Sequence, residues 1–296
     1  MLLRHIRYLL AVVEQGNFTR AAEALYVSQP TLSQQIRQLE ETLGVQLLDR
    51  SGRVVRATDA GEAYVAYARR ALRELEAGQR AIHDVRDLSR GTLRLAMTPS
   101  LTSYLAGPLI ARFNASYPGI ALQVIEKTLD AIETALAADQ VDLGLAFSQV
   151  RSQEISSRPL FVEKLCVVVG LTHPLAKRPA ARALAASELG RQSLALLSSD
   201  FATRTFVDAY LQQQGISPNI AIEANTISAI VEIVRRGGVA TILPDAIARE
   251  HPGLREVPLN PALPHRTVSL LWRKDSYQSA AASAFAELAG NLAAAE

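Results

Sequence analysis

A chain of 296 residues is long for one hydrophobic core and points to two or three domains. Hydrophobic residues make up 49% and charged residues 20%, an ordinary globular balance, and no apolar run reaches the ~18 residues that a membrane span needs. The net charge of +2 is too small to announce a polyanion partner, so where the charges lie matters more than their sum.

The chain opens MLLRHIRYLLAVVEQ. Charges interrupt its apolar run and no small-residue cleavage site follows, so the expected location is cytoplasmic. Ile6, Leu9, Leu10 and Val13 recur at helical spacing and predict an amphipathic helix over residues 3–14, ended by Gly16-Asn17. A second helix is predicted over Thr19–Leu25. Its Ala21 and Ala22 suit a steep helix crossing, which packs closely only where side chains are small. Tyr26-Val27 then makes a turn. Ser28 is a good N-cap, and Pro30 is tolerated in a first turn whose N–H groups lack intrahelical acceptors.

From Gln29 to Leu43 the apolar residues Leu32, Ile36, Leu39 and Leu43 form one narrow stripe. The opposite face carries Gln29, Thr31, Ser33, Gln34 and Arg37, which can pair with base edges and phosphates. A merely solvated face would carry more Glu and Lys, and Glu40-Glu41 appear only at the far end. Through Arg90 every Lys/Arg position is Arg, the better residue for bidentate phosphate and guanine contacts. The stretch Val45–Thr58 predicts a small β-hairpin with Ser51-Gly52 at its turn and Arg50, Arg53 and Arg56 around it, placed for phosphate or minor-groove contact. Thr58 caps a long helix expected from Asp59 to Leu88. A helix of ~30 residues spans ~45 Å and is not stable alone on a small winged domain, so it is expected to pair with a second copy.

After Ser89-Arg90-Gly91 the pattern changes to alternating strands and helices. Strands are predicted over Thr92–Met97, Ile120–Glu126 and Leu143–Phe147, with helices over Leu101–Tyr117 and Leu129–Asp139 between them. This βαβαβ order implies a doubly wound sheet. A second series follows: strands over Leu165–Leu171, Ser193–Leu197, Ile220–Ala224 and Thr241–Leu243, and helices over Thr205–Gln214 and Ile227–Arg236. The strand Thr267–Trp272 and an Ala-rich helix over Ser279–Ala294 close the chain. Two similar α/β halves imply two lobes with a cleft. The single cysteine, Cys166, excludes an intramolecular disulfide and a four-cysteine zinc site, and its place in KLCVVVGL predicts a buried strand residue.

The run AAEALYVSQPTLSQQIRQLEETLGVQLLDR (Ala21–Arg50) resembles the DNA-binding signature of LysR-type transcriptional regulators. Ala21, Ala22, Leu25, Ser28, Gln29, Pro30, Ser33, Ile36, Leu39, Glu40, Leu43, Gly44, Leu47 and Arg50 carry the match. Thr58-Asp59-Ala60-Gly61 and His173-Pro174-Leu175 extend it along the chain. Leu48 stands where that family usually has Phe, and Thr31 where Ala is usual. The resemblance implies a winged helix-turn-helix (residues 1–58), a dimerisation helix (59–90) and a two-lobed α/β effector domain like a periplasmic binding protein (91–296). Lobe I is expected to comprise residues 91–163 and 267–296, and lobe II residues 164–266. It implies promoter DNA, further copies of the chain in a homodimer or homotetramer, and RNA polymerase as partners. The DNA-contacting set is then Gln29, Pro30, Thr31, Ser33, Gln34, Arg37, Arg50 and Arg53. RHIRYLLAV, RAIHDVRDL, TPSLTSYLAGPL, SDFATR and IEANTISAI are similar to the cyanate-responsive branch of the family, which implies activation of cyanate-metabolism genes by cyanate or a similar small anion.

Such regulators bind small molecules between their lobes. The matching positions here are Thr98, Ser100, Leu101 and Thr102 from the first lobe, and Ser199, Phe201, Ala202 and Thr203, with Asn225 and Thr226, from the second; Thr128 and Phe147 are weaker. These residues sit between strand C-termini and helix N-termini, where open α/β sheets hold ligands and where hydroxyl and N–H groups can bind an anion. Arg204 is a candidate for adding charge. Helix capping is the competing role for each Ser and Thr. The sequence has no GxSxG, no GxGxxG and no GxxxxGK[ST], and its five histidines are scattered. Neither catalysis nor a cofactor is expected. A plain solute-binding protein is the remaining different class.

Overall fold

The computed structural model describes residues 3–84, 88, 90–147, 150–179 and 182–293. The chain divides into two compact units, residues 1–79 and 80–296.

In the first unit, α1 (Leu3–Gln15) buries Leu9 and Val12 against Ala21 and Ala22 of α2 (Phe18–Ala24) and Leu32, Ile36 and Leu39 of α3 (Gln29–Leu43). Local chemistry sets the helix ends. The Asn17 side chain accepts from the Thr19 and Arg20 amides, and Ser28 Oγ accepts from the Thr31 amide with Pro30 in the first turn. Gly44, at φ 69°, ends α3 in the left-handed conformation that closes many helices.

Strands β1 (Leu48–Asp49) and β2 (Arg56–Ala57) pair antiparallel as the wing. They are shorter than the extended runs expected over 45–58. Asp49 Oδ1 takes the Ser51 amide at 2.9 Å and the Ser51 hydroxyl at 2.7 Å, a local turn that ends β1 early. The long helix α4 (Asp59–Asp84) starts where Thr58 Oγ1 accepts the Gly61 amide at 3.0 Å. The expected continuation over residues 85–87 falls outside the described set, and Leu88 lies in a turn.

The second unit begins with β3 (Gly91–Met97), α5 (Pro99–Leu101), a π-helical turn (Thr102–Ala106) and α6 (Gly107–Ser116). Then come β4 (Ile120–Glu126), α7 (Leu129–Ala137), β5 (Leu143–Phe147) and β6 (Ile155–Glu163). The chain crosses at Lys164 into lobe II. That lobe runs β7 (Leu165–Gly170), a 3-10 turn (Pro174–Lys177), β8 (Leu184–Ala185), α8 (Ala186–Leu189), β9 (Ser193–Leu197) and α9 (Ala202–Gln213). It continues through β10 (Asn219–Ala224), α10 (Ile227–Arg236), β11 (Ala240–Pro244), α11 (Asp245–Glu250), β12 (Leu254–Val257) and β13 (Leu259–Asn260). The chain returns to lobe I with β14 (Arg266–Arg273) and α12 (Ala280–Ala293).

Lobe I is a sheet of order β4-β3-β5-β14-β6 and lobe II one of order β10-β9-β11-β7-β12. In each, three parallel strands (β3, β4, β5; β9, β10, β11) form the expected βαβ core, and two antiparallel strands complete the sheet. The doubly wound expectation therefore holds for the parallel strands, while the sheets as wholes are mixed. Edge strand β6 escaped the pattern because Pro159 interrupts it and Ser156, Ser157 and Arg158 break its alternation. Strand β14 starts at Arg266, one residue before the expected lobe boundary, since Arg266 pairs with Glu163 in the lobe I ladder. Leu93, Leu95, Met97, Phe113 and Phe285 are fully buried in the core of lobe I.

Candidate effector pocket and DNA-reading face

On α3 the residues opposite the buried stripe are available. Gln29, Pro30, Thr31, Gln34 and Arg37 are exposed and Ser33 is half-buried. Thr31 Oγ1 lies 2.7 Å from Ser28 Oγ, so this hydroxyl already helps close the helix start. Arg53 is exposed in the wing loop. Arg50 is held within the unit: it pairs with Glu40 at 2.7 Å and lies 5.2 Å from the centre of the Phe18 ring. That ion pair competes with any phosphate for the same guanidinium.

In the second unit, β3, β5 and β9 deliver their C-terminal ends to one region, and α5, α7 and α9 begin there. A cavity of about 60 Å³ lies between Thr98, Pro99, Ser100, Thr128, Leu129 and Phe147 of lobe I and Asp200, Phe201, Ala202 and Thr203 of lobe II. Of the residues expected in an effector site, Thr98, Ser100, Phe201, Ala202 and Thr203 line it, as do the weaker candidates Thr128 and Phe147. Leu101 is fully buried core, and Thr102 Oγ1 donates to the Thr98 carbonyl at 3.2 Å. Ser199 and Asn225 are exposed and do not line the cavity. Asp200 was missed by the sequence reading. It follows Ser199 in the loop after β9, and only the turn that places Ser198 Oγ 2.5 Å from Asp200 Oδ1 brings it to the rim.

The cavity offers hydrogen-bond donors. Thr98 Oγ1 is buried without a partner, although Thr98 sits at the N-cap of α5. The start of α9, after Phe201, also has no side-chain cap. At α7 the competing role is filled, because Thr128 Oγ1 accepts the Ala131 amide at 3.4 Å. Uncapped amides and a free hydroxyl favour an acceptor ligand over a cation. Arg204 adds no charge here. It pairs with Asp208 at 2.9 Å and Glu223 at 2.7 Å and donates to the Leu197 carbonyl at 2.6 Å. Among the described residues, Asp200 is the one ionisable residue lining the cavity, so a ligand of high negative charge is disfavoured.

Cys166 lies in β7. Burial, reinforced by the charges of Glu256 and Asp245, pushes its thiol well above the ordinary range. A thiol kept protonated is a poor nucleophile toward peroxide. Among the described residues, no group of three or more His, Cys, Asp or Glu could hold a metal ion, and no helix is long and apolar enough to cross a membrane.

Residues 3–62 match the bacterial regulatory helix-turn-helix protein, lysR family, and residues 86–294 match the LysR substrate binding domain. A probable RuBisCO transcriptional regulator of Trichormus variabilis is 31% identical over 96% of this chain and 86% of its own. A hydrogen peroxide-inducible genes activator of Pectobacterium carotovorum is 29% identical over 93% of this chain and 91% of its own. Among solved structures, a full-length OxyR variant from Pseudomonas aeruginosa superposes with a TM-score of 0.72 at 26% identity, covering 98% of this chain and 94% of that one. Full-length CbnR in complex with its target DNA gives a TM-score of 0.65 at 25% identity, covering 98% and 99%. These relatives are regulators rather than enzymes. With one family model matched at each end and relatives aligned along almost its whole length, the chain belongs to the LysR family of bacterial transcriptional regulators.

Proposed function

We propose that this regulator reads promoter DNA with Gln29, Pro30, Thr31, Ser33, Gln34 and Arg37 of α3 and with Arg53 of the wing, as a homodimer or homotetramer in the cytoplasm. In this reading a small acceptor ligand in the lobe cavity sets its activity. Cyanate or a similar small monoanion is the proposed effector, and activation proceeds through RNA polymerase at genes for its metabolism.

The cavity carries the effector reading. About 60 Å³ holds only a few non-hydrogen atoms, the Thr98 hydroxyl has a hydrogen to donate, and Asp200 at the rim opposes a dianion. Calorimetry of the full-length protein with cyanate, azide and bicarbonate tests it. Heat from at least one is expected, and none from all three discards the small-anion effector while leaving the family unchanged. For the DNA face, Gln29→Ala and Arg37→Ala should each weaken binding to a promoter palindrome about tenfold or more in gel shifts. Unchanged binding by both would move the reading face off α3.

A second reading follows from the RuBisCO regulator that is 31% identical along 96% of this chain. The target would then be carbon-fixation genes and the effector a larger organic acid, which requires the lobes to open. Heat with dicarboxylic acids and not with the three small anions selects this reading.

A further inference from the structure

Beside the cavity, the two connections between the lobes carry a buried charge pair. Glu163 ends β6, Arg266 begins β14, and the two are ladder partners. They are 3% and 7% exposed. Glu163 Oε1 accepts the Tyr104 hydroxyl at 2.7 Å, and Oε2 accepts Arg266 Nε. Tyr104 comes from the π-helical turn that follows the cavity wall, a helical irregularity common at functional sites. The Arg266 guanidinium lies 3.8 Å from the centre of the Phe147 ring, and its Nη2 donates to Thr203 Oγ1 at 3.1 Å. Phe147 lines the cavity from lobe I and Thr203 from lobe II. One guanidinium therefore touches a wall residue from each lobe and the carboxylate at the crossover.

The hydrogen count gives this arrangement a direction. Arginine only donates, whereas a threonine hydroxyl has one hydrogen and two acceptor sites. Thr203 Oγ1 accepts from Arg266, so its own hydrogen points elsewhere. We propose that Arg266 is the positioning residue of the cavity: it fixes Thr203 as a hydrogen-bond donor to the ligand and, through Glu163 and Tyr104, ties occupancy to both lobe crossovers. This rests on the cavity being the effector site. It adds the polarity the ligand must present, an acceptor atom, and the residues that report its arrival. The buried Arg266 Nη1, which has no partner, marks the guanidinium as incompletely satisfied in this state.

Amide hydrogen exchange on the full-length protein, first without ligand, tests the connection. Thr203→Val and Arg266→Met should each speed exchange at residues 163–166 and 202–205 about tenfold. The double variant should do no more than either alone, and Thr203→Ser should match wild type. Should Arg266→Met fail to fold, the comparison of Thr203→Val with Thr203→Ser decides. A wild-type rate at residues 163–166 in Thr203→Val overturns the proposal, because the Arg266–Glu163 pair would then be indifferent to the wall. In calorimetry, whichever of cyanate, azide and bicarbonate binds wild type should lose about tenfold in affinity with Thr203→Val and keep it with Thr203→Ser. Guanidinium, a pure donor, binding in preference to all three would overturn the donor assignment. Absence of binding by all three anions counts against the small-anion effector alone, since the ligand-free exchange decides the coupling independently.

Discussion

The carboxylate of Glu40 holds the wing to α3. Its Oε1 accepts the Leu47 and Leu48 amides at 2.9 and 3.1 Å, and its Oε2 accepts Arg50 at 2.7 Å. Removing it strands two partly buried amides, so Glu40→Ala should cost about 2–3 kcal/mol of domain stability in urea unfolding. Arg50→Ala removes one partly exposed partner and should cost under about 1 kcal/mol. His173 supplies a pH dependence. Its Nδ1 accepts the Leu175 amide at 3.1 Å, and burial lowers its pKa below the ordinary value. The neutral ring is the folded form, so its contribution is complete above pH ~6.5 and is lost as pH falls through its lower folded value. Replacement by Gln should flatten that part of the stability–pH curve, measured by thermal unfolding. At this scale the sequence was legible where a residue's neighbours in the chain decide its role, as at Ser28 and Thr58. It was not legible at Arg266, whose partners Glu163 and Thr203 lie far away in sequence.

Helix α4 meets the wing so closely that its first turn admits no side chain at one position. A Cβ at Gly61 would stand 2.0 Å from the Leu47 carbonyl oxygen. Gly61→Ala must therefore displace backbone. A loss of about 2 kcal/mol or more in the winged unit is expected, with weakened promoter binding in the same variant. An Ala there that raised stability through helix propensity would contradict this packing. Element by element, periodicity located α1, α3 and α10 because each buries one regular face, and short apolar runs located parallel strands such as β5 and β11, which are buried on both faces. It lost β6 and β12, the first broken by Pro159 and the second only four residues long.

Across the molecule, the change of pattern at Gly91 announced a second unit, while the chain divides between residues 79 and 80, inside α4. Most of the cavity's lining was visible too, at strand ends followed by Ser or Thr, whereas Asp200, Pro99 and Leu129 join it only because the sheet order brings four chain segments together. The paired ends of β6 and β14 carry one more consequence. Glu163 and Arg266 face each other as antiparallel partners, so their Cα atoms stand ~5 Å apart. Everything between them is a cassette entered and left through a single doorway. Such a cassette can be exchanged between homologues, or replaced by a short turn, without re-routing the remaining sheet. A chain with residues 164–265 replaced by an Asn-Gly turn should retain a cooperative melting transition for lobe I and lose all response to effector. Inheritance could thus renew half of the ligand site in one recombination event while the DNA-reading half stayed unchanged.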